Sequence, residues 1–521
     1  MIEKRDENKK AVKTVSLIII FTAFSKILGL LRDMFMAYFY GGSAKYAAFA
    51  TASRIPRDFF DIFLGAAVLG VFIPVYNSFN SGKEKEKNDF ANIFLNVVIL
   101  ATGLLALLGI IFSRQIIDLI TPGYEEATAG LAANLLMILF PMIVFTGAVY
   151  TLTGILQSKG EFLAPALVSA VSNLGVIAYF WLLNGYFDIY GLAWAYLISW
   201  IIQLLTLVVP LIRKKYKYKF IINLKNPAFI KSIKMALPIM AGSWLIPFGM
   251  LVGQHFISFS DDYDFYISAF DYSTKIFLLV TGILTYAILN YIFPKLAQTA
   301  NDAAEFIKIV KTGLSSSCFV IAPVACLMYV LRGEAVAIVF MHGETTPELA
   351  DSAAQMFAVL APAMIMFSTI EILNRVFYAK KLVKFPMIAS IAGIAVNFIL
   401  CRIFMVELNL PPVYITLAVF ICQTITAIIL IISLKVKIKE IFDKKFLANI
   451  AKTVLSSGIM LIIIKILYYI IKNNAFESGI IKNILTAGIT AIAGVCVYIL
   501  INLIFKTDEA KTFVRMLKKE R

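Results

Sequence analysis

Fourteen long apolar runs, each closed by a short polar or turn-forming stretch, follow one another along this chain. About 20 consecutive apolar residues cross the hydrocarbon core of a bilayer as one helix, so each run predicts a transmembrane span. The spans are read at 15–40, 47–79, 90–113, 130–156, 162–184, 189–212, 229–256, 265–294, 305–331, 349–378, 385–406, 412–434, 446–471 and 483–505. The second and eighth carry internal charges, and Lys452 and Lys465 interrupt the last pair. The chain is polar through Lys13. The run behind it is longer than a signal-peptide core and lacks a small-residue cleavage site, which reads as an uncleaved first span.

Of the 521 residues, 60% are hydrophobic and 15% charged, with a mean hydropathy of +0.85. Soluble domains carry about 45–50% apolar and about 25% charged residues, so a soluble protein is excluded and little chain is left for a separate soluble domain. Lysine and arginine number 48 against 32 aspartates and glutamates, a net charge of +16. In a soluble protein that excess would point to nucleic acid; here it sorts by loop. The segments 1–14, 80–89, 157–161, 213–234, 295–311, 375–384, 435–445 and 506–521 hold 35 basic residues. The seven alternate loops hold six: Lys45, Arg114, Arg332, Arg402, Lys472 and Lys482. Basic loops stay in the cytoplasm, so the split predicts an even number of spans with both termini cytoplasmic.

The two halves resemble each other. The segment 137–166 matches 358–387, with Pro141 opposite Pro362, Lys159 opposite Lys380 and Pro165 opposite Pro386, all at one constant offset. Gly123 and Gly343, and Pro74 and Pro294, keep that offset to within a single position. Six spans per repeat is an even number, so both halves keep one orientation and relate by a pseudo-two-fold axis along the membrane normal. The predicted fold is an all-α polytopic membrane protein of 14 helices, with two pseudo-symmetric six-helix lobes around a central cavity plus two extra C-terminal helices. Its parts are a cytoplasmic tail (1–14), an N-lobe (15–212), a basic cytoplasmic linker (213–228), a C-lobe (229–434), helices 13–14 (435–505) and a cytoplasmic tail (506–521). That plan suits an alternating-access transporter.

Ionisable residues within spans face a cavity or a partner by default. Here they are Lys26, Arg32 and Asp33 in the first span, Arg54, Arg57, Asp58 and Asp61 in the second, Asp271 and Lys275 in the eighth, and Glu371 and Arg375 in the tenth. Arg54 and Asp58, Arg57 and Asp61, Asp271 and Lys275, and Glu371 and Arg375 are each four apart, a spacing that allows ion pairs on one helix face. Such pairs can serve the packing of helices or line a cavity. Lys26 and Arg32 show no acidic partner on their own face, since Asp33, adjacent to Arg32, is expected to point elsewhere. Cations in a membrane cavity are most simply explained by an anionic substrate, and arginine forks onto phosphate oxygens.

Other chemistry is thin. The five cysteines lie in apolar runs without a CxxC spacing, the two histidines are far apart, and no metal site is expected. There is no GxxxxGK[ST] and no segment long enough for an ATPase domain. No cofactor is expected, and the energy is expected to come from the membrane potential, an ion gradient or the substrate's own gradient.

The stretch from Phe24 to Asp33, FSKILGLLRD, resembles the first-helix motif of the MurJ (MviN-type) lipid II flippases, within the multidrug/oligosaccharidyl-lipid/polysaccharide exporter superfamily. Arg54-Ile55-Pro56, Phe72-Ile73-Pro74, Thr121-Pro122-Gly123-Tyr124, Gly154-Ile155-Leu156-Gln157, Phe162 with Pro165-Ala166 and Asn173, and Phe377-Tyr378 with Lys384 and Pro386 fit the same family. The resemblance runs from about residue 15 to 435. It implies a transporter rather than an enzyme, in the bacterial cytoplasmic membrane, moving an undecaprenyl-diphosphate-linked disaccharide-pentapeptide from the inner to the outer leaflet. It implies substrate-binding cations at Lys26, Arg32 and Lys275, and a groove for the polyprenyl tail at helices 13–14; Arg54 and Arg57 are cavity candidates from their place inside the second span. The implied partners are the lipid-linked glycan, membrane lipids and other cell-wall synthesis proteins, with no nucleic acid. The chain departs from the family at Ala47, Phe60 and Gly65-Ala66, where relatives often carry charge. From the residues alone, a flippase for another polyprenyl-linked oligosaccharide, a multidrug antiporter, a membrane enzyme and a scaffold remain open.

Overall fold

The computed structural model describes the backbone of residues 2–79, 82–299, 301–474 and 479–511, and side chains from residue 21 onward except at positions 58, 59, 66, 69, 237, 294, 297, 439, 473 and 474. The described residues are helical with no strand. The first unit, through Asp264, contains α1 (Ile2–Tyr40), α2 (Ala44–Asn77), α3 (Glu84–Ile111), α4 (Ser113–Ile120), α5 (Glu126–Ser158), α6 (Leu163–Leu182), α7 (Asn184–Arg213), α8 (Pro227–Gly242) and α9 (Leu245–Ile257). The second, from Phe265, contains nearly all of α10 (Tyr263–Gln298), then α11 (Ala303–Val330), α12 (Arg332–Phe340), α13 (Pro347–Ala379), α14 (Lys384–Glu407), α15 (Pro412–Lys437), α16 (Lys444–Asn474) and α17 (Ile480–Phe505).

Among the described residues, twelve helices are long and apolar enough to cross a membrane, or thirteen if α8 and α9, bent by 48°, form one span. With α1 these are compatible with the fourteen predicted spans. The bend falls at Gly242 and Ser243, with Pro247 one turn after it. Proline removes a backbone donor and crowds the preceding turn, which breaks a helix at such a place.

Within each unit one helix is most enclosed. The apolar stretch of α5 is 67% buried and that of α13 is 61% buried, and these are the helices that the sequence repeat pairs. In the first unit α3 and α7 pack on α5, and α6 packs on α7; in the second, α11 and α15 pack on α13, and α14 packs on α15. The helix 229–256, which follows the repeat boundary, packs as α8 against α2 inside the first unit, with Ile239 against Gly70. The sequence repeat divides the chain before α8, whereas contact divides it after α9.

The repeat extends to turns. α5 ends with Glu161 N–H donating to the Leu156 carbonyl (2.9 Å) across Gly160 at φ 75°; α13 ends with Leu382 N–H donating to the Phe377 carbonyl (2.8 Å) across Lys381 at φ 58°. Both are the left-handed C-cap that satisfies the last carbonyls of a helix, and they keep the offset that separates Pro141 from Pro362.

Candidate functional site

The first unit gathers charge around Tyr196 of α7. Helix α1 brings Arg32 and Asp33, α2 brings Arg57, and α6 brings Asn173. Arg32 spreads its fork: Nε and Nη2 donate to Asp33 Oδ1 at 3.2 and 2.9 Å, and Nη1 donates to Asn173 Oδ1 at 3.0 Å. Its guanidinium carbon lies 5.6 Å from the centroid of the buried Tyr196 ring, and that of Arg57 lies 5.9 Å from the same ring. The expectation that Asp33 points away from Arg32 is therefore corrected. Neighbouring Cα–Cβ vectors on a helix differ by about 100°, but the long arginine stem curls back over the backbone and reaches the adjacent carboxylate.

Asn173, quoted from the sequence only as a motif residue, is a structural centre of this group. Its amide donates to the Ser25 carbonyl (3.1 Å) while its oxygen receives Arg32, so it ties α6 to α1. Gly29 lies beside this contact, where a Cβ would meet the Asn173 amide nitrogen at 3.4 Å, an ordinary van der Waals distance. Lys26, one turn before Gly29, is exposed and has no hydrogen-bond or ion-pair partner among the described residues.

Helix α2 supplies the other charges from a distorted stretch. Residues Arg54–Phe59 and Val68–Phe72 form wide turns in which Phe60 N–H reaches the Ile55 carbonyl and Ile73 N–H the Val68 carbonyl, five residues back. Pro56 and Pro74 cannot donate, and the wide turn accommodates them. Arg54 is only 2% exposed. Asp61 accepts from the Tyr150 hydroxyl of α5 at 2.8 Å. The side chain of Asp58 lies outside the described residues.

In the second unit two of the i,i+4 pairs are made: Lys275 Nζ to Asp271 Oδ2 at 2.8 Å and Arg375 Nη2 to Glu371 Oε2 at 3.3 Å, all four side chains mostly buried. Tyr286 and Tyr378 lie within electrostatic reach of the Glu371–Arg375 pair. In each of these pairs a carboxylate balances the cation within its own helix.

The repeat relates these sites. Thr51 Oγ1 and the Tyr124 hydroxyl are hydrogen-bonded at 2.7 Å in the first unit; their equivalents at the repeat offset, Tyr272 and Thr345, are hydrogen-bonded at 3.3 Å with the two residue types exchanged. One turn beyond, the same offset sets Arg54 opposite Lys275. Tyr150 likewise stands opposite Glu371, and Gly65, which touches the Tyr150 ring, stands opposite Tyr286. Each unit thus carries a mostly buried cation just past the same hydrogen bond between a helix and a loop.

The model of the lipid II flippase MurJ family matches residues 36–487. The chain belongs to this family. Among relatives, the protein named Probable lipid II flippase MurJ from Buchnera aphidicola subsp. Schizaphis graminum is 28% identical over 383 residues, 71% of this chain and 73% of that one. The MurJ relative of the same name from Thermotoga maritima is 25% identical over 507 residues, 95% of this chain and 96% of its own. A solved structure titled as lipid II flippase MurJ in an inward closed conformation superposes with a TM-score of 0.78 at 25% identity, over 94% of this chain and 99% of that one. An inward-facing multidrug resistance transporter of the MATE family, in the MOP superfamily, shares the fold with a TM-score of 0.62 at 13% identity, over 82% of this chain and 98% of its own. MurJ membership accounts for the all-helical, multi-pass architecture and makes this chain a member of a transporter family.

Proposed function

We propose that this protein moves lipid II, the undecaprenyl-diphosphate-linked peptidoglycan precursor, from the inner to the outer leaflet of a bacterial cytoplasmic membrane by alternating access, with both termini in the cytoplasm. The observation that carries the proposal is the pair of guanidinium groups, Arg32 and Arg57, held against one buried tyrosine in a chain of the MurJ family. A diphosphate needs fixed, permanently charged donors, and arginine provides them without a protonation equilibrium. Asp33 and Asn173 set the angle of the Arg32 fork, so that its remaining N–H directions are fixed before substrate arrives. Lys26 adds a further cation in the first unit, and Lys275, beside Asp271, is a candidate phosphate-binding cation of the second. Helices α16 and α17 accommodate the polyprenyl tail. No nucleotide is needed; the membrane potential or an ion gradient drives the cycle, and other cell-wall synthesis proteins supply and consume the lipid.

Depletion of the protein in cells with no other lipid II flippase should stop the appearance of precursor at the outer leaflet. Unchanged translocation in those cells would overturn the reading. A second reading is a flippase for another polyprenyl-linked glycan, since the diphosphate that these cations would bind is common to both substrates. Complementation of a strain lacking its lipid II flippase separates the two.

A further inference from the structure

The segment between α7 and α8 is more than a linker. Lys215, at φ 54°, caps α7 in the left-handed turn already described for α5 and α13, with Tyr216 N–H donating to the Leu211 carbonyl at 3.0 Å. The chain then lies along α3, held by two asparagines. Asn92 accepts from the Tyr216 hydroxyl (2.7 Å) and Lys219 N–H (3.2 Å), and donates to the Lys217 carbonyl (3.2 Å). Asn96 accepts from the Tyr218 hydroxyl (2.9 Å) and donates to the carbonyls of Lys219 (3.0 Å) and Ile221 (3.1 Å). The match is geometric: four residues of helix rise about 6 Å, and two residues of extended chain advance about 6.6 Å. Buried amides at i and i+4 therefore serve successive repeats of an extended strand.

What this strap presents outward is of two kinds. Lys215, Lys217, Lys219 and Lys225 are exposed, and none of them, nor Arg213 or Lys214, is ion-paired among the described residues. Phe220, Ile222 and Leu224 are exposed at 68, 49 and 59%. Both ends of the strap join membrane-spanning helices, so it lies at a membrane surface. Exposed apolar side chains there settle in the acyl boundary while lysines reach the headgroups, and clusters of four to eight cations beside a span attract anionic lipid.

We propose that residues 213–225 form a binding strap for anionic phospholipid, lysines taking the headgroup phosphate and Phe220, Ile222 and Leu224 the acyl boundary. The fixed register on Asn92 and Asn96 makes it a shaped site rather than a diffuse charge.

The test uses the full chain purified in detergent, titrated with phosphatidylglycerol and with phosphatidylcholine and read by native mass spectrometry. Wild type should retain phosphatidylglycerol preferentially. Each neutralised lysine should weaken that binding about fivefold, so K215Q/K217Q/K219Q should lose on the order of a hundredfold, whereas the same three changed to arginine should keep it. These side chains lack partners, so the unfolding temperature should not move. Wild-type preference in the glutamine triple variant overturns the proposal, as does an equal loss in K435Q/K444Q/K445Q, which would make the effect one of net charge. Glycerol phosphate displacing the lipid as well as phosphatidylglycerol does would show a headgroup-only site and also overturn it. The readout is lipid retention by isolated protein, so it is independent of whether lipid II is the transported substrate.

Discussion

Arg32 shows how a cation is kept charged and aimed inside a membrane protein: one carboxylate neutralises it, one amide orients it, and one aromatic ring supports it. Arg32→Lys keeps the charge but offers one nitrogen where Arg32 places three, Nε and Nη2 on Asp33 and Nη1 on Asn173. Hydrogen bonds to charged groups are worth about 1.5–3 kcal/mol, so transport should fall about tenfold or more, read by complementation under a titratable promoter. Unimpaired growth at low expression would show that the fork is dispensable. Gly123 is fixed by space, since a Cβ would sit 2.1 Å from the Ser258 carbonyl oxygen. Backbone cannot retreat as a side-chain tip can, and overpacking typically costs about 1–3 kcal/mol. Gly123→Ala should therefore lower the thermal unfolding temperature in detergent, and an unchanged temperature would refute the close approach of the two loops.

At the scale of elements, caps and tethers do what the apolar pattern does not specify. Lys381 and Lys215 occupy left-handed positions where an L residue costs about 1–2 kcal/mol, part of which glycine gives back in chain entropy. Lys381→Gly should thus stabilise by up to about 1 kcal/mol, measured by chemical unfolding, with Gly160→Lys destabilising in the equivalent turn. Loss of the Asn96 amide should free the strap: Asn96→Ala should speed tryptic cleavage at Lys217 and Lys219 several-fold, and an unchanged digestion rate would argue against the tether. Between α15 and α16, Asp443 accepts from Lys311 Nζ of α11 and from Phe446 N–H. The Lys311 hydrogen bond holds its carboxyl below the usual carboxylate range. A carboxyl lowered on folding contributes stability above its unfolded value, about 3.9, and loses it as pH falls through the folded value. Asp443→Asn should therefore separate from wild type at pH 5 to 7 and converge with it below about pH 4 in thermal unfolding.

Over the whole molecule, the repeat is carried by geometry more than by identity. The hydrogen bond of Thr51 with Tyr124 and that of Tyr272 with Thr345 keep the same place with the partners exchanged. A double-mutant cycle on Thr51→Val and Tyr124→Phe should give a coupling of about 1 kcal/mol, and so should Thr345→Val with Tyr272→Phe. Coupling in one unit alone would show that the equivalence is of shape and not of energy. Opposite Arg54 stands Lys275, so the exchange extends from the hydrogen bond to the cation beyond it.

The apolar runs determined the helices, because about 20 apolar residues in a row have no other stable state in a bilayer, and the loop charges carried the expected topology through the same transfer energetics. The repeat was legible because prolines and glycines mark breaks that substitution rarely hides. Two of the intrahelical ion pairs, Asp271 with Lys275 and Glu371 with Arg375, follow from spacing alone, since i and i+4 must share a face. The contact of Arg32 with Asp33, the role of Asn173, the convergence of two arginines on Tyr196 and the tethering of the strap by Asn92 and Asn96 were not legible there. Each depends on side chains distant in sequence meeting across helices, or on one long stem curling back along its own. Hydrophobic periodicity says which face is buried without saying what it meets. Only tertiary structure decided those partners.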